Sequence, residues 1–310
     1  MQIREKMESV VKNVEKVIIG KRNVIELLLI SLLCEGHVLI EDVPGVGKTS
    51  LVSALAKSLN LEFGRIQFTP DILPSDITGM NIFNRKTGEF DFHPGAAMAN
   101  ILLADEINRT TPKTQSSLLE IMEEKQATVD GVTYKMKSPF MVLATQNPID
   151  YLGTYPLPEA QLDRFFMKIK IGYPGVDEEI QIIKRYQDGN PLSTLEPVME
   201  KDEVLELQKT WNDVIIKDEV QEYIAKIVRE TRANSEIQLG VSPRGGISLA
   251  KASKAKALYD GRNYVIPDDV KRMVVPVLAH RMIVKPQSSL KGLTVNAILG
   301  NILEAVPVPR

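Results

Sequence analysis

Asp42-Val43-Pro44-Gly45-Val46-Gly47-Lys48-Thr49 gathers two glycines, a lysine and a hydroxyl between the apolar run His37-Val38-Leu39-Ile40-Glu41 and a helical pattern from Thr49 to about Leu59. Strand, glycine-bearing turn and helix start in that order make a phosphate cradle. Glycines let backbone N–H groups turn inward around phosphate oxygens, and the helix N-terminus adds partial positive charge. In such a P-loop the segment Val43, Pro44, Gly45, Val46 and Gly47, with Ser50, wraps the phosphates. Lys48 reaches the β- and γ-phosphates, and the Thr49 hydroxyl ligates Mg²⁺. Asp42 stands where the full pattern has its first glycine; Asp tolerates unusual backbone angles better than most residues, so the loop is still expected to form.

Two further segments supply the rest of a phosphoryl-transfer site. Ile101-Leu102-Leu103-Ala104 is an apolar strand that ends in Asp105-Glu106. Downstream of a P-loop it has the form of a Walker B strand, with Asp105 holding Mg²⁺ and Glu106 polarising the attacking water. Ala144-Thr145-Gln146-Asn147-Pro148 ends another strand in a polar side chain, and Asn147 is placed to orient the same water. Each has a plainer reading. A buried strand often ends in a charge, and Asn-Pro is also an ordinary turn.

These residues need a scaffold, and the alternation of the chain describes one. Ile3, Met7, Val10, Val11 and Val14 share a helical face, and a second helix covers roughly Arg22 to Cys34. Phe140 to Ala144 and Phe165 to Ile169 are further strand candidates, and Thr111-Pro112 opens a helix to about Glu124. Alternating strands and helices argue for an α/β fold with a mainly parallel sheet. Two hairpins interrupt it, Met80 to Phe92 and Ala127 to Val132-Thr133-Tyr134; the second turns on Asp130-Gly131. After Asp188-Gly189-Asn190-Pro191 strand signals fade and helices dominate. The expected division is therefore 1–188 for the nucleotide-binding core and 189–310 for a helical lid.

Composition limits the alternatives. The 310 residues are 44% hydrophobic and 25% charged, enough chain and apolar matter to bury a core. Lys+Arg 38 against Asp+Glu 40 leaves −2, which argues against coating nucleic acid by bulk charge. The single cysteine, Cys34, cannot form an internal disulfide and fits a reducing compartment. No run approaches the about 18 apolar residues of a membrane span, and Met1 to Lys6 lacks the apolar stretch of a secretory signal. The expected location is the cytoplasm, without membrane insertion. His37, His93 and His280 have no metal-ligand spacing.

Taken together the chain resembles the MoxR family of AAA+ ATPases. The likeness rests on Val17-Ile18-Ile19-Gly20, the P-loop, Asp105-Glu106-Ile107-Asn108-Arg109-Thr110-Thr111-Pro112, the Asn147 segment, Leu162-Asp163-Arg164-Phe165 and Val241-Ser242-Pro243-Arg244-Gly245. It implies an AAA+ P-loop NTPase core with a parallel five-stranded sheet, two inserted hairpins and a C-terminal all-helical lid. By that resemblance Ile18, Ile19 and Gly20 line the adenine pocket and Asn147 is sensor 1. Arg164 is an arginine finger that enters a neighbouring subunit's site, and Arg244 is sensor 2, in its own chain or a neighbour's. Without the likeness, Arg164 reads as an ion pair with Asp163 or Glu159, and Arg109 is a further candidate for a subunit boundary.

The implied activity is Mg-dependent ATP hydrolysis by a ring homo-oligomer, a hexamer, that remodels or matures client protein complexes with a partner carrying a von Willebrand factor A domain. A DNA motor of the minichromosome-maintenance type shares the hairpins, but only 5% of residues are aromatic, so stacking platforms are scarce. A magnesium-chelatase-like motor subunit differs mainly in its client. A scaffold that binds ATP without turnover is opposed by the presence of Glu106.

Overall fold

The structure is a computed structural model and describes residues 2–147, 153–187 and 189–309. Pro148 of the Asn147 segment and Asp188 at the expected domain boundary lie outside these residues.

Five parallel strands form the central sheet: β1 (Val38–Glu41), β2 (Phe63–Gln67), β5 (Ile101–Asp105), β8 (Met141–Gln146) and β9 (Met167–Ile169), in the order β2-β5-β8-β1-β9. β1, β5 and β8 are buried on both faces, as parallel strands covered by helices must be. Their side chains alternate between two apolar clusters. Val38, Ile40, Ile101, Leu103, Met141 and Leu143 join helices α1 (Gln2–Glu15), α2 (Arg22–Leu33) and α3 (Lys48–Ser58). Leu39, Leu102, Ala104, Val142 and Ala144 join α5 (Pro112–Glu124), with Phe68 and Phe165.

Short helix α4 (Pro74–Thr78) leads into hairpin β3–β4 (Gly79–Asn84, Glu89–Pro94), and α5 leads into hairpin β6–β7 (Gln126–Val129, Val132–Lys135). The tight turn of the second has positive φ at both Asp130 and Gly131, the geometry that matches the twist of the paired strands. Phe92 stacks on Tyr134 at 3.8 Å between centroids, and the Asn81 amide donates to Asp130 at 2.8 Å. The two hairpins are therefore one projecting unit.

Beyond β8 come α6 (Glu159–Leu162) and α7 (Val176–Gln187), then the helical part: α8 (Lys201–Thr210), α9 (Asp218–Ala233), α10 (Pro243–Tyr259), α11 (Pro267–Leu278), α12 (Pro286–Leu290) and α13 (Val295–Ala305). One short antiparallel pair, β10 (Ile237–Leu239) with β11 (Ile283–Val284), is inserted among the helices. Leu249 of α10, Val270 of α11 and Leu299 of α13 share the apolar cluster of α1 to α3. The helical part thus packs on one face of the core.

Candidate functional site

The loop after β1 carries φ of +88° at Gly45 and +84° at Gly47, conformations that side-chain-bearing residues adopt at a cost. Gly47 is the N-cap of α3 and offers no side-chain cap, so the first amides of that helix are left for an anion. Lys48 Nζ donates to the carbonyls of Asp42 and Val43 at 2.8 and 3.2 Å, which folds the ammonium back over the loop.

Asp42 does not adopt a positive φ among the described residues. Its place in the motif has another cause. The buried carboxylate accepts from the backbone N–H of Ile171 at 2.6 Å, Gly172 at 2.7 Å and Val43 at 3.0 Å. A glycine could not make these bonds. Asp42 ties the root of the loop to the chain that leaves β9.

At the end of β5, Asp105 accepts from the Thr145 hydroxyl at 2.6 Å and from the Arg65 guanidinium at 2.9 Å. Glu106 sits at φ +58°, and its N–H donates to the same Thr145 hydroxyl at 2.8 Å. The left-handed turn separates the two acids so that both face the loop side. Glu106 accepts from Gln67 at 2.9 Å and pairs with Arg109 at 3.1 Å. Arg65, Gln67 and Thr145 were not anticipated from sequence; β2 carries the first two two residues apart, which puts them on one face of the strand.

Two cavities meet at the loop. One, of about 430 Å³, is lined by Pro44, Gly45, Gly47, Lys48, Thr49, Ser50, Arg65, Gln67, Asp105 and Glu106. The other, of about 310 Å³, is lined mainly by apolar groups, among them Val17, Ile18, Ile19, Val46, Pro174, Ile182 and Tyr186. Gly45, Gly47 and Ser50 border both. A polar chamber and an apolar one that share the glycines of the loop suit a ligand with a charged part and an apolar part. Gly20 lines neither: at φ +73°, its missing Cβ would lie 1.8 Å from the Glu178 carboxylate, so it shapes the turn behind the apolar chamber. Val43 contributes its carbonyl to Lys48 and lines neither chamber.

The acids of the site fit a magnesium ion. Among the described residues no group of three His, Cys, Asp or Glu could hold a metal by itself. Magnesium does not need one. It takes one or two protein oxygens and fills its octahedron with phosphates and water; the Thr49 hydroxyl and the Asp105 carboxylate, which line the same chamber, would hold it.

Arg164 and Arg244 lie elsewhere. Both border a third cavity of about 380 Å³ and neither lines the two chambers at the loop. Arg164 Nε is 3.3 Å from Glu123, and the Arg244 guanidinium pairs with the other oxygen of the same carboxylate. The partner of Arg164 is thus neither Asp163 nor Glu159. Asn147 follows Gln146, which pairs with Glu41 at the root of the loop; its carbonyl accepts from Asn108 at 3.4 Å.

The profile of the ATPase family associated with various cellular activities (AAA) matches residues 37–167, and that of the AAA lid domain matches 229–302. Chaperone MoxR1 of Mycobacterium tuberculosis is 39% identical over 98% of this chain and 82% of its own length. The chain belongs to the MoxR family of AAA+ ATPases. The uncharacterized protein YeaC of Bacillus subtilis is 53% identical over 96% of this chain and 93% of its own. A crystal structure of a Cytophaga hutchinsonii protein, provisionally assigned as an ATPase, superposes with a TM-score of 0.93 at 40% identity and covers 100% of this chain and 96% of that one.

In this MoxR-family chain the segment that carries Arg164 is held from the lid. Arg281, buried beside β9, donates to Asp163 at 2.7 Å and to the Phe165 carbonyl at 2.6 Å; burial lowers the pKa of its guanidinium while Asp163 raises it. Ser242, next to Pro243 of α10, donates to the other oxygen of Asp163 at 2.9 Å. Asp163 therefore fastens two lid elements to the loop of Arg164. The two buried histidines, His37 and His280, are structural. His37 donates to Met122 O and accepts from Val142 N–H, and burial pushes its pKa down to about 4. His280 is buried against Phe165 O and is likewise depressed by burial. Cys34 is buried, which pushes its thiol pKa up and leaves it a poor nucleophile. Among the described residues, no helix is long and apolar enough to cross a membrane.

Proposed function

We propose that this chain binds Mg-ATP in the two joined chambers and hydrolyses it, as a ring homo-oligomer that remodels protein clients. The pair of chambers carries the reading: one apolar, one lined by Lys48, Thr49, Asp105 and Glu106, with an uncapped helix start between them.

Ile18 and Ile19 receive the adenine ring. Amides of Gly45 to Ser50 and the Lys48 ammonium hold the phosphates. Mg²⁺ held by Thr49 and Asp105 would supply charge that offsets the β- and γ-phosphate oxygens. Glu106 draws a proton from the attacking water, and Asn147 orients that water. Turnover requires Lys48 to leave the loop carbonyls for phosphate, and Glu106 to loosen from Gln67.

Arg164 acts across a subunit boundary. In its own chain it borders a different cavity, beside Arg244 and Glu123. A planar guanidinium meets two equatorial oxygens of a transferring phosphoryl group at once. The position of Arg244 in that same cavity favours its action in trans as well. We infer a ring, a hexamer by analogy with AAA+ relatives, with a von Willebrand factor A domain protein as partner and the cytoplasm as its location. The fused hairpins expose Ile82, Phe83 and Phe90, an apolar tip suited to protein clients rather than to a polyanion.

The test is hydrolysis by mixed rings. Glu106→Gln and Arg164→Ala proteins are each inactive under this reading. A mixture regains part of the activity, because an intact base in one subunit meets an intact arginine from the next. No recovery removes the in-trans assignment.

A further inference from the structure

Helix α7 has twelve residues and no buried side chain. It is attached along its inner edge. Ile182 and Tyr186 border the apolar chamber, Arg185 donates to the carbonyls of Glu15 and Lys16 at 2.7 and 2.6 Å, and Glu178 pairs with Lys21 at 3.8 Å. The outer edge presents Val176, Ile180 and Ile183, which are 75%, 45% and 63% exposed. Their spacing of four and three puts them on one helical face. Asp177 and Glu179, also exposed, lie beside this stripe and make no ion pair among the described residues. An apolar stripe on an amphipathic helix is ordinarily the face that packs against something.

The complement is on the face that carries Arg164. After Pro243 the exposed residues of α10 reduce to a ridge one side chain wide: Arg244, which pairs with Glu123 of its own chain, Ile247 (59% exposed) and Lys251, at i, i+3 and i+7. Lys254 continues it, half-buried. Ile247 with the exposed cation Lys251 beside it fits an apolar stripe that Glu179 edges on one side, with Asp177 and Lys184 on the other. The ridge borders the cavity of Arg164, whereas α7 borders the nucleotide chambers. The ridge shares a cavity with Arg164 and α7 shares one with the nucleotide loop, so a single head-to-tail contact can engage both pairs.

We propose that the Val176–Ile180–Ile183 face of α7 is the docking surface for the Arg244–Ile247–Lys251 ridge of a second copy of this chain. The contact is heterologous: each copy offers one patch and receives the other, which is how rings close. It rests on the ring reading above and extends it to the outer wall of the adenine chamber. Because α7 is held only along its inner edge and buries no side chain fully, the neighbour supplies the burial that fixes Ile182 and Tyr186 over the base. Assembly and nucleotide affinity are thereby coupled.

The test uses the full-length protein with Mg-ATP in the Glu106→Gln background. Ile180→Cys and Ile247→Cys variants are prepared separately, mixed, and treated with a short bismaleimide; buried Cys34 stays silent in the unsubstituted control. A covalent dimer is expected in the mixture and in neither variant alone. A mixture that cross-links no better than Ile180→Cys with Leu290→Cys, a position 89% exposed, overturns the contact. So does Ile180→Cys cross-linking to itself, which would mean α7 packs on α7. Sedimentation adds a second readout. Ile180→Asp is expected to raise the concentration for half-assembly about tenfold, and Lys251→Glu to weaken assembly until Glu179→Lys restores it. An assembled protein indifferent to these changes leaves the ring standing and removes this surface from it. A protein that never assembles with Mg-ATP overturns both.

Discussion

The amide of Gln67, the last residue of β2, donates to the carboxylate of Glu106 at 2.9 Å from the strand paired with β5. A hydrogen bond to a carboxylate occupies one of its lone pairs and fixes its direction. Gln67 leads through Phe68 to α4 and hairpin β3–β4, so the same stretch of chain joins the hairpins to this bond. Gln67→Ala is expected to raise basal ATP hydrolysis by roughly two- to tenfold and to lessen any stimulation by a client. Steady-state turnover with and without client checks it; a loss of turnover would place Gln67 among the groups that hold Glu106 productively.

Glu106→Gln keeps the shape and the hydrogen bond from Gln67 but cannot accept a proton. Hydrolysis is expected to fall by about 10²–10⁴ with nucleotide affinity retained. Paired measurements of turnover and of ATP binding separate the two effects.

Arg164→Ala is expected to lower hydrolysis by about 10³ or more while ATP binding stays, since its guanidinium lines neither nucleotide chamber of its own chain. A fall in binding by the dispersed protein would contradict the separation of the two cavities.

Arg281→Leu leaves Asp163 without its cation and removes the bond to the Phe165 carbonyl. Breaking a buried pair from one side costs about 3 kcal/mol. Thermal unfolding should show the loss, and activity should fall with it because the Arg164 loop loses its anchor.

The two buried histidines predict acid sensitivity. The folded pKa of His37 is depressed to about 4, below the 6.5 of an unhindered imidazole. The unfolded chain therefore binds more protons between these values, and stability is present above about pH 6.5 and drains away as pH falls toward 4. At about 1.4 kcal/mol per unit, His37 alone can remove about 3 kcal/mol. His280 acts in the same direction. Urea denaturation at pH 7.5 and 5 is expected to show the decline, reduced in His37→Gln.

What could be read in the sequence was what is local. The P-loop, Asp105-Glu106 and the Asp130-Gly131 hairpin each declare themselves within about ten residues, because strand, turn and helix chemistry is short-ranged. β2 escaped notice: of Phe63 to Gln67 only Ile66 is buried, so neither alternation nor an apolar run marks it. With it went Arg65 and Gln67, whose partners lie about forty residues away. The Arg281 clamp on Asp163 spans 118 residues, and no spacing rule reaches that far. Asp42 was visible only as a departure from glycine; its three backbone partners explain it, and two of them follow the neighbouring strand β9, 129 and 130 residues along the chain.

Calorimetric titration of the Glu106→Gln protein with ATP, with and without magnesium, tests the central claim most directly. One nucleotide per chain should bind, more tightly with the metal, and Lys48→Ala should abolish the heat. Absence of binding by the Lys48-bearing protein at any concentration, or unchanged binding by Lys48→Ala, would contradict the assignment of the two chambers to ATP.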